Sequence, residues 1–323
     1  MDYTLDFEKP VSELENQIRE LQQTSDRPNI DLSMEIEALQ SKVSELIKNI
    51  YENLTPWERV QLCRHPSRPH TLDYVEKMIY DFHEIHGDRS FSDDLSMVTG
   101  MGFLAGQKVF VIGIEKGRKT KDKIQRNFGM PNPEGYKKAL RVMKLAHQFN
   151  IPVITFVDTP GAYPGIGAEE RGQAFAIANN LAEMFDIKVP IISIIIGEGG
   201  SGGALGIAIA DRVFMMEYST YSVISPESCA SILWSDPKKA ETAANALQLS
   251  PNKATELGVI DAVILEPEGG AHRKPDEAIK MVRDYVLKEL VLLMAMPKEQ
   301  LLEERFQKFR QMGNKTLNDL IKE

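Results

Sequence analysis

Two stretches of this chain place glycines where an apolar run gives way to a helical one: "DTPGAYPGIGAEERG" at 158–172 and "GEGGSGGALG" at 197–206. The second follows "VPIISIII" (189–196) and leads into "ALGIAIA" (204–210). Glycine removes Cβ and lets a ligand approach the backbone. The first turn of a helix offers unpaired N–H groups and a partial positive charge, which together hold an anion without any side chain. Three uses follow: cradling a phosphate, stabilising an oxyanion, or letting a helix pack close to a sheet. A phosphate loop of the Walker type needs a lysine after its last glycine, and none follows Gly202 or Gly203. "GEGGSG" (197–202) fits the dinucleotide string G-x-G-x-x-G, and Glu217 stands where a ribose acceptor is sought, but it is one acid among many. The oxyanion use demands least: two adjacent amides at a helix start, aimed at an oxygen that gains charge in the transition state. Close packing stays open beside it.

The other candidates weigh differently. "KGRKTKDKIQR" (116–126) sets Lys116, Arg118, Lys119, Lys121, Lys123 and Arg126 against Asp122. Such a run is ordinarily a solvated face, although its place after a strand in an acidic chain favours a role. Pro160 and Pro164 stiffen the first glycine loop, where Tyr163, Pro164 and Gly165 either shape a turn or wall a pocket. Asp158 reads as a turn or cap acceptor, Glu198 as an orienting group for the glycines, and Glu169, Glu170 and Arg171 as the start of a helix. His83, His86 and His147 have no metal-ligand spacing, and His272 receives no role.

These residues need elements to hold them. Apolar residues three and four apart predict helices over 11–22 and 32–54, and "TPWE" (55–58) is a helix start with Thr55 as cap, Pro56 in the first turn and Glu58 reaching back. Thr71 is the expected cap of the next helix. From residue 107 onward, strands alternate with helices: strands at 107–115, 151–158, 189–196, 212–217, 221–225 and 258–266, helices after Asn132 and over 173–185. Alternation of this kind implies an α/β core with parallel pairing. The C-terminal stretch is helical again, restarted by Pro297. The 323 residues are 42% hydrophobic, enough for a large core, and the net charge of −9 makes the chain a poor general binder of nucleic acid. Cys63 and Cys229 form no disulfide framework or zinc set. No apolar run reaches membrane-spanning length and the acidic "MDYTLDFEKP" is no signal peptide, so a cytoplasmic, reducing location is expected.

Longer strings carry a resemblance. "RNFGMPNPEGYKKALRVM" (126–143), "DTPGAYPGIGAEERGQ" (158–173), "IGEGGSGGALG" (196–206), "YSTYSVISPE" (218–227) and "EPEGGAH" (266–272), with "LDFEKP" (5–10) and "RPHTLDYV" (68–75), resemble the carboxyltransferase alpha subunit of bacterial acetyl-CoA carboxylase. The resemblance implies a crotonase-like spiral of ββα units with N- and C-terminal helical extensions. It divides the chain into a helical arm (1–37), a carboxyltransferase domain (38–295, core about 88–268) and a helical tail (296–323). The implied reaction moves a carboxyl group from carboxybiotin, presented on a separate biotin carboxyl carrier protein, to acetyl-CoA, giving malonyl-CoA for fatty-acid biosynthesis. Biotin supplies the base, so no Ser–His–Asp set is needed in this chain. By resemblance, the amides of Gly202 and Gly203 stabilise the biotin oxygen, with Gly199 and Gly200 turning the chain off the strand beside them. Tyr163, Pro164 and Gly165 wall the biotin pocket, and Lys119 and Lys121 attract the phosphates of coenzyme A or an acidic partner. The implied partners are a beta subunit, in a complex of two alpha and two beta chains, the carrier protein and biotin carboxylase. Zinc is expected on the beta chain and no metal in this one. "AMPK" (295–298) falls short of the biotin-attachment motif. Another crotonase-like acyl-CoA enzyme and a non-catalytic scaffold subunit are the alternatives.

Overall fold

The computed structural model describes residues 3–25 and 31–313. After a short 3-10 turn, the chain forms helices α1 (Lys9–Ser25), α2 (Ser33–Glu52), α3 (Pro56–Cys63) and α4 (Thr71–Met78). Strands β1 (Tyr80–Glu84), β2 (Met97–Leu104) and β3 (Gln107–Ile114) follow, then α5 (Thr120–Gln125) and α6 (Pro133–Phe149). The central part runs β4 (Val153–Thr159), α7 (Ile166–Glu170), α8 (Gln173–Met184), β5 (Ile191–Gly200), α9 (Ser201–Leu205), β6 (Arg212–Met216) and β7 (Thr220–Ser222). It closes with α10 (Pro226–Trp234), α11 (Ala240–Leu247), α12 (Pro251–Glu256), β8 (Ala262–Ile264), α13 (Pro275–Met294) and α14 (Lys298–Gln311).

One sheet unites the strands in the order β1-β2-β3-β4-β5-β6-β8, with β7 joining β5. β1, β2 and β3 pair antiparallel; from β3 onward every neighbour is parallel. The parallel strands are buried on both faces, which explains their unbroken apolar runs. Successive side chains go to opposite sides. Val153, Val157, Ile191 and Ile195 meet Tyr136, Val142 and Met143 of α6 and Ala176 and Met184 of α8. Ile154, Phe156, Ile192 and Ile194 meet Tyr74 and Val75 of α4 and Val282, Val286 and Leu290 of α13.

Near its end β5 changes register and partner. Val157 pairs with Ile195, but Thr159 pairs with Gly199, so β5 bulges between them. Residues Ile192–Ile195 pair with β6, whereas Glu198, Gly199 and Gly200 pair with Thr220, Tyr221 and Ser222 of β7.

The expected capping box at α3 is present: Glu58 N donates to Thr55 Oγ1 at 3.2 Å and Thr55 N to Glu58 Oε2 at 2.8 Å. Thr71 does not cap α4. That place belongs to His70, whose N–H donates to Asp73 Oδ2 at 2.7 Å, while the Thr71 hydroxyl donates to Ile114 O at 2.6 Å. The arm boundary expected at 37 falls inside α2, and residues 314–323 of the expected tail lie outside the described residues. The rest of the tail is anchored by Arg305 of α14, fully buried beneath the loop that leads into β5.

The N-terminal helices pack on each other and on Leu62 and Tyr218. A buried clasp fixes them: Tyr51 donates to Glu8 Oε1 at 2.7 Å, and His272 Nε2 lies 2.9 Å from the same oxygen. The His65 ring lies with its centre 4.2 Å from that of His272, tilted by 46°. Ligand atoms of Glu8, His65 and His272 come within 4.8 Å of one another, the spacing of a metal site. Both ring nitrogens of His65 are already engaged, however: Ser67 N donates to Nδ1 and Nε2 bonds the Tyr3 carbonyl, each at 3.1 Å. This is the neutral tautomer. Burial first, then the neighbouring His272 and Arg68, push the His65 pKa down to about 4, against the opposing pull of the Tyr3 carbonyl and Glu8. A histidine so depressed binds protons more readily unfolded than folded. Its contribution is therefore complete above the unfolded pKa and is lost as pH falls toward 4. Urea midpoints are expected to fall from about pH 7 to about pH 4.5, and to fall less steeply in His65→Gln, which starts lower.

Candidate functional site

β4 and β5 lie side by side and parallel, so both glycine loops leave the same end of the sheet, where ligands of open α/β sheets bind. The loops touch. A Cβ on Gly203 would stand 2.5 Å from Ala162 N and from Gly161 C, and one on Gly200 would collide with the Pro160 carbonyl. Much of the glycine crowding is thus demanded by the approach of two backbones. Gly199 and Gly200 do not turn the chain, contrary to expectation: both are strand residues paired to β7, and Gly200 has φ −92°. The turn is made by Ser201, whose φ of 53° is a left-handed conformation held by its surroundings.

Gly202 differs from its neighbours. A Cβ there would meet only the Ile177 methyls at 3.7 Å. Its amide and that of Gly203 fall in the first turn of α9, where no carbonyl lies four residues back to accept them. A cavity of about 320 Å³ opens beside them, lined mainly by apolar groups including Leu205, Tyr221, Val223 and Leu257, with Ser201 and Gly202 at its edge.

Of the other residues singled out, Tyr163 folds its ring over Gly165 and donates its N–H to Pro131 O at 3.0 Å; Pro164 is exposed. Gln173 ties this loop down through bonds from Nε2 to Pro131 O at 2.8 Å and Tyr163 O at 3.0 Å. The basic stretch is not one solvated loop. It contains α5, with Lys119 and Lys121 exposed at its start. Arg118 turns inward to the carbonyls of Pro66 and Arg68 and to Asp73, and Arg126 binds Asp122 and Leu95 O.

Lys116 goes furthest inward and organises a charge cluster between the loops. Its Nζ lies 2.8 Å from Asp158 Oδ1 and 2.6 Å from Glu198 Oε2. His70 Nδ1 stands 2.9 Å from Asp158 Oδ2, and Arg64 bridges Glu198 (2.6 Å) and Glu227 (2.5 Å). Burial opposes each of these charges, yet the pairing outweighs it. The Asp158 carboxyl is held far below the usual range by Lys116 and His70, Glu198 is lowered by Lys116 and Arg64, and Lys116 is raised by both carboxylates. Asp158 is therefore not the turn or cap acceptor expected from sequence: its carboxylate is buried between Lys116 and His70 and accepts the Glu198 N–H across the strands. Lys116, Arg64 and His70 were not separable by sequence; the one cue was the place of Lys116 directly beyond a buried strand.

The family described as acetyl co-enzyme A carboxylase carboxyltransferase-like matches residues 4–313. Proteins named acetyl-coenzyme A carboxylase carboxyl transferase subunit alpha are 54% identical to this chain in Thermus thermophilus, over 96% of this chain and 98% of that one. In Hydrogenovibrio crunogenus the identity is 54%, over 96% and 97%. Among solved structures, the transcarboxylase 12S core aligns with a TM-score of 0.53 at 22% identity, covering 66% of this chain and 41% of that one. The beta subunit of Pseudomonas aeruginosa geranyl-CoA carboxylase gives 0.55 at 17%, covering 76% and 46%. A Pseudomonas malonate decarboxylase hetero-tetramer gives 0.53 at 15%, covering 71% and 91%. These structural likenesses establish the crotonase-like α/β fold. The extent and level of the sequence identity go further: the chain belongs to the family of carboxyltransferase alpha subunits of acetyl-coenzyme A carboxylase.

Proposed function

We propose that this chain supplies the biotin-facing half of a carboxyltransferase that moves a carboxyl group from carboxybiotin, carried on a biotin carboxyl carrier protein, to acetyl-CoA, giving malonyl-CoA for fatty-acid synthesis. The observation that carries the reading is the pair of first-turn amides at Gly202 and Gly203, with Gly203 held against the first glycine loop and Gly202 at the edge of an apolar cavity. Such a cavity fits a bicyclic ring whose ureido oxygen needs donors and whose remainder is apolar. Carboxybiotin supplies the carboxyl group and, once relieved of it, a basic nitrogen for the acetyl methyl proton. Gly202 and Gly203 then donate to the oxygen that becomes negative, Gly200 holds the close contact of the two loops with Gly199 paired to Thr159 beside it, and Tyr163, Pro164 and Gly165, which do not line this cavity, approach the ring only from the facing loop. Removing one such donor typically costs ~10²–10³ in rate.

The second oxyanion, on the thioester, falls to the matching loop of a beta subunit. Exposed apolar side chains near the glycine loops, Ile166 (80% exposed), Phe175 (73%) and Val223 (76%), support a partner on this side. The assembly is two alpha and two beta chains, with zinc on the beta chain and biotin carboxylase as a further component, in the cytoplasm; among the described residues no helix is long and apolar enough to cross a membrane. The test is reconstitution: malonyl-CoA-dependent carboxylation of free biotin is expected only with both chains present. Hydration of an enoyl-CoA by this chain alone would overturn the reading, as would full activity of the partner without it.

Lys119 and Lys121 supply positive charge for the phosphates of coenzyme A. Converting both to Ala is expected to raise the apparent KM for the acyl-CoA severalfold at low salt, with the difference shrinking as salt screens it within ~10 Å. An unchanged KM at low salt would dismiss the role.

A further inference from the structure

The parallel ladder between β4 and β5 slips where the two glycine loops begin, between Val157 and Thr159. Pairing resumes at Thr159 and Gly199, but Asp158 and the residues Ile196–Glu198 opposite it are left without ladder partners between the two strands. Side chains fill the gap. Asp158 Oδ1 accepts the Glu198 N–H at 3.0 Å and lies where a Cβ on Gly197 would be. Lys116 reaches across from the end of β3 and is roofed by Gly129, which has no Cβ to collide with the Lys116 stem. Among the described residues it is the one cation paired with carboxylates of both strands. His70 touches Asp158, and Arg64 touches Glu198 while tying it onward to Glu227 of α10.

We propose that Lys116 is a positioning residue: its ammonium clamps Asp158 to Glu198 and so sets the distance between the first glycine loop and the Gly202–Gly203 amides. The proposal rests on the reading of those amides as donors. Without the cation, two carboxylates share a buried gap with no charge between them, and the strand ends separate. The acyl-CoA is assigned to Lys119 and Lys121 outside this buried cluster, so its binding is expected to stay as it was. A displacement of ~1 Å at a reacting centre costs ~10²-fold in rate.

The experiment uses the complex of this chain with its beta-type partner and measures malonyl-CoA-dependent carboxylation of free biotin. Lys116→Met is expected to lower kcat by ~10²-fold with KM for malonyl-CoA within about threefold of the parent, the pattern of an interaction lost only in the transition state. Lys116→Arg, which keeps the charge, is expected to lose less. Glu198→Gln preserves shape and removes one of the two anions, and reads the same clamp if Lys116→Met does not fold; its kcat also falls with KM unchanged. A folded, assembled Lys116→Met with parental kcat overturns the clamp, as does a rise in KM alone or a Glu198→Gln complex with parental kcat. Gly203→Ala measured alongside separates the two ideas. If it turns over normally, the underlying reading fails. If it is inactive while Lys116→Met is normal, only the clamp fails.

Discussion

Gly203→Ala is expected to reduce carboxyl transfer by ~10²-fold or more in the reconstituted complex, while Gly202→Ala stays within about tenfold of the parent. The contrast follows from what the added methyl meets. At 203 it meets the backbone of Gly161 and Ala162 at 2.5 Å, and neither atom belongs to a side chain that can swing away. The start of α9 must lift off the first loop and carry both amides with it. At 202 the methyl rests on Ile177 at an ordinary 3.7 Å and the amides keep their place. The sheet itself is packed elsewhere, so both variants are expected to fold and to bind the partner, which thermal melting and size-exclusion chromatography check. Normal turnover by Gly203→Ala would remove this pair of amides from the mechanism. A larger loss in Gly202→Ala than in Gly203→Ala would show that backbone contact between the loops is not what sets the rate.

Arg305→Met is expected to cost about 3–5 kcal/mol of stability, the range for removing one partner of a buried ion pair. All five guanidinium N–H groups have acceptors. Nε and one Nη2 hydrogen go to Asp211 Oδ1 (2.9 Å) and Oδ2 (2.7 Å). The others go to the carbonyls of Met184 (2.7 Å), Ile187 (2.8 Å) and Val189 (3.0 Å). Met fills the space but leaves three carbonyls without these donors and Asp211 without its cation. Asp211 Oδ2 also accepts the Ile191 N–H at 2.7 Å, so the loss reaches the first residue of β5. Lysine repairs little, since its three donors do not reproduce the planar fork. Chemical denaturation measures the difference; a change under 1 kcal/mol would mean that water or the loop replaces these bonds.

The features legible in the sequence were those written over a few neighbouring residues. The box at Thr55 and Glu58, the double-sided strands expected at 151–158 and 189–196 and found at Val153–Thr159 and Ile191–Gly200, and the restart at Pro297 each depend on local spacing, and each appears in the fold. β1 was missed because the helix after Thr71 reads on through Phe82, although it ends at Met78, and β2 because Met97–Leu104 contains two glycines and is buried at nearly every position, with no alternation to mark it. Lys116 was hidden by its company. It opens a run that continues with Arg118, Lys119, Lys121 and Lys123, whereas the carboxylate it serves at Glu198 is 82 residues away. The reasons for the glycines were divided wrongly. Gly200 and Gly203 answer to the backbone of another loop, and the sharp turn falls on Ser201, a residue type that gives no warning of a positive φ.

The change of partner along β5 makes that strand two mechanical units joined at the bulge. Its first half is bonded to β6 and the packed core; its glycine end is bonded to β7. Substitutions among Ile191–Ile195 are thereby insulated from the glycines, whereas a shift of Thr220–Ser222 is passed to them directly. The three residues between β6 and β7, Glu217, Tyr218 and Ser219, become the hinge of this second unit. They are fastened independently, with Tyr218 N donating to Glu266 Oε1 at 3.0 Å and the Ser219 hydroxyl to Met216 O at 2.7 Å. The glycine end of β5 thus has a second tie besides the Lys116 clamp, set by residues just ahead of β7 that do not line the cavity.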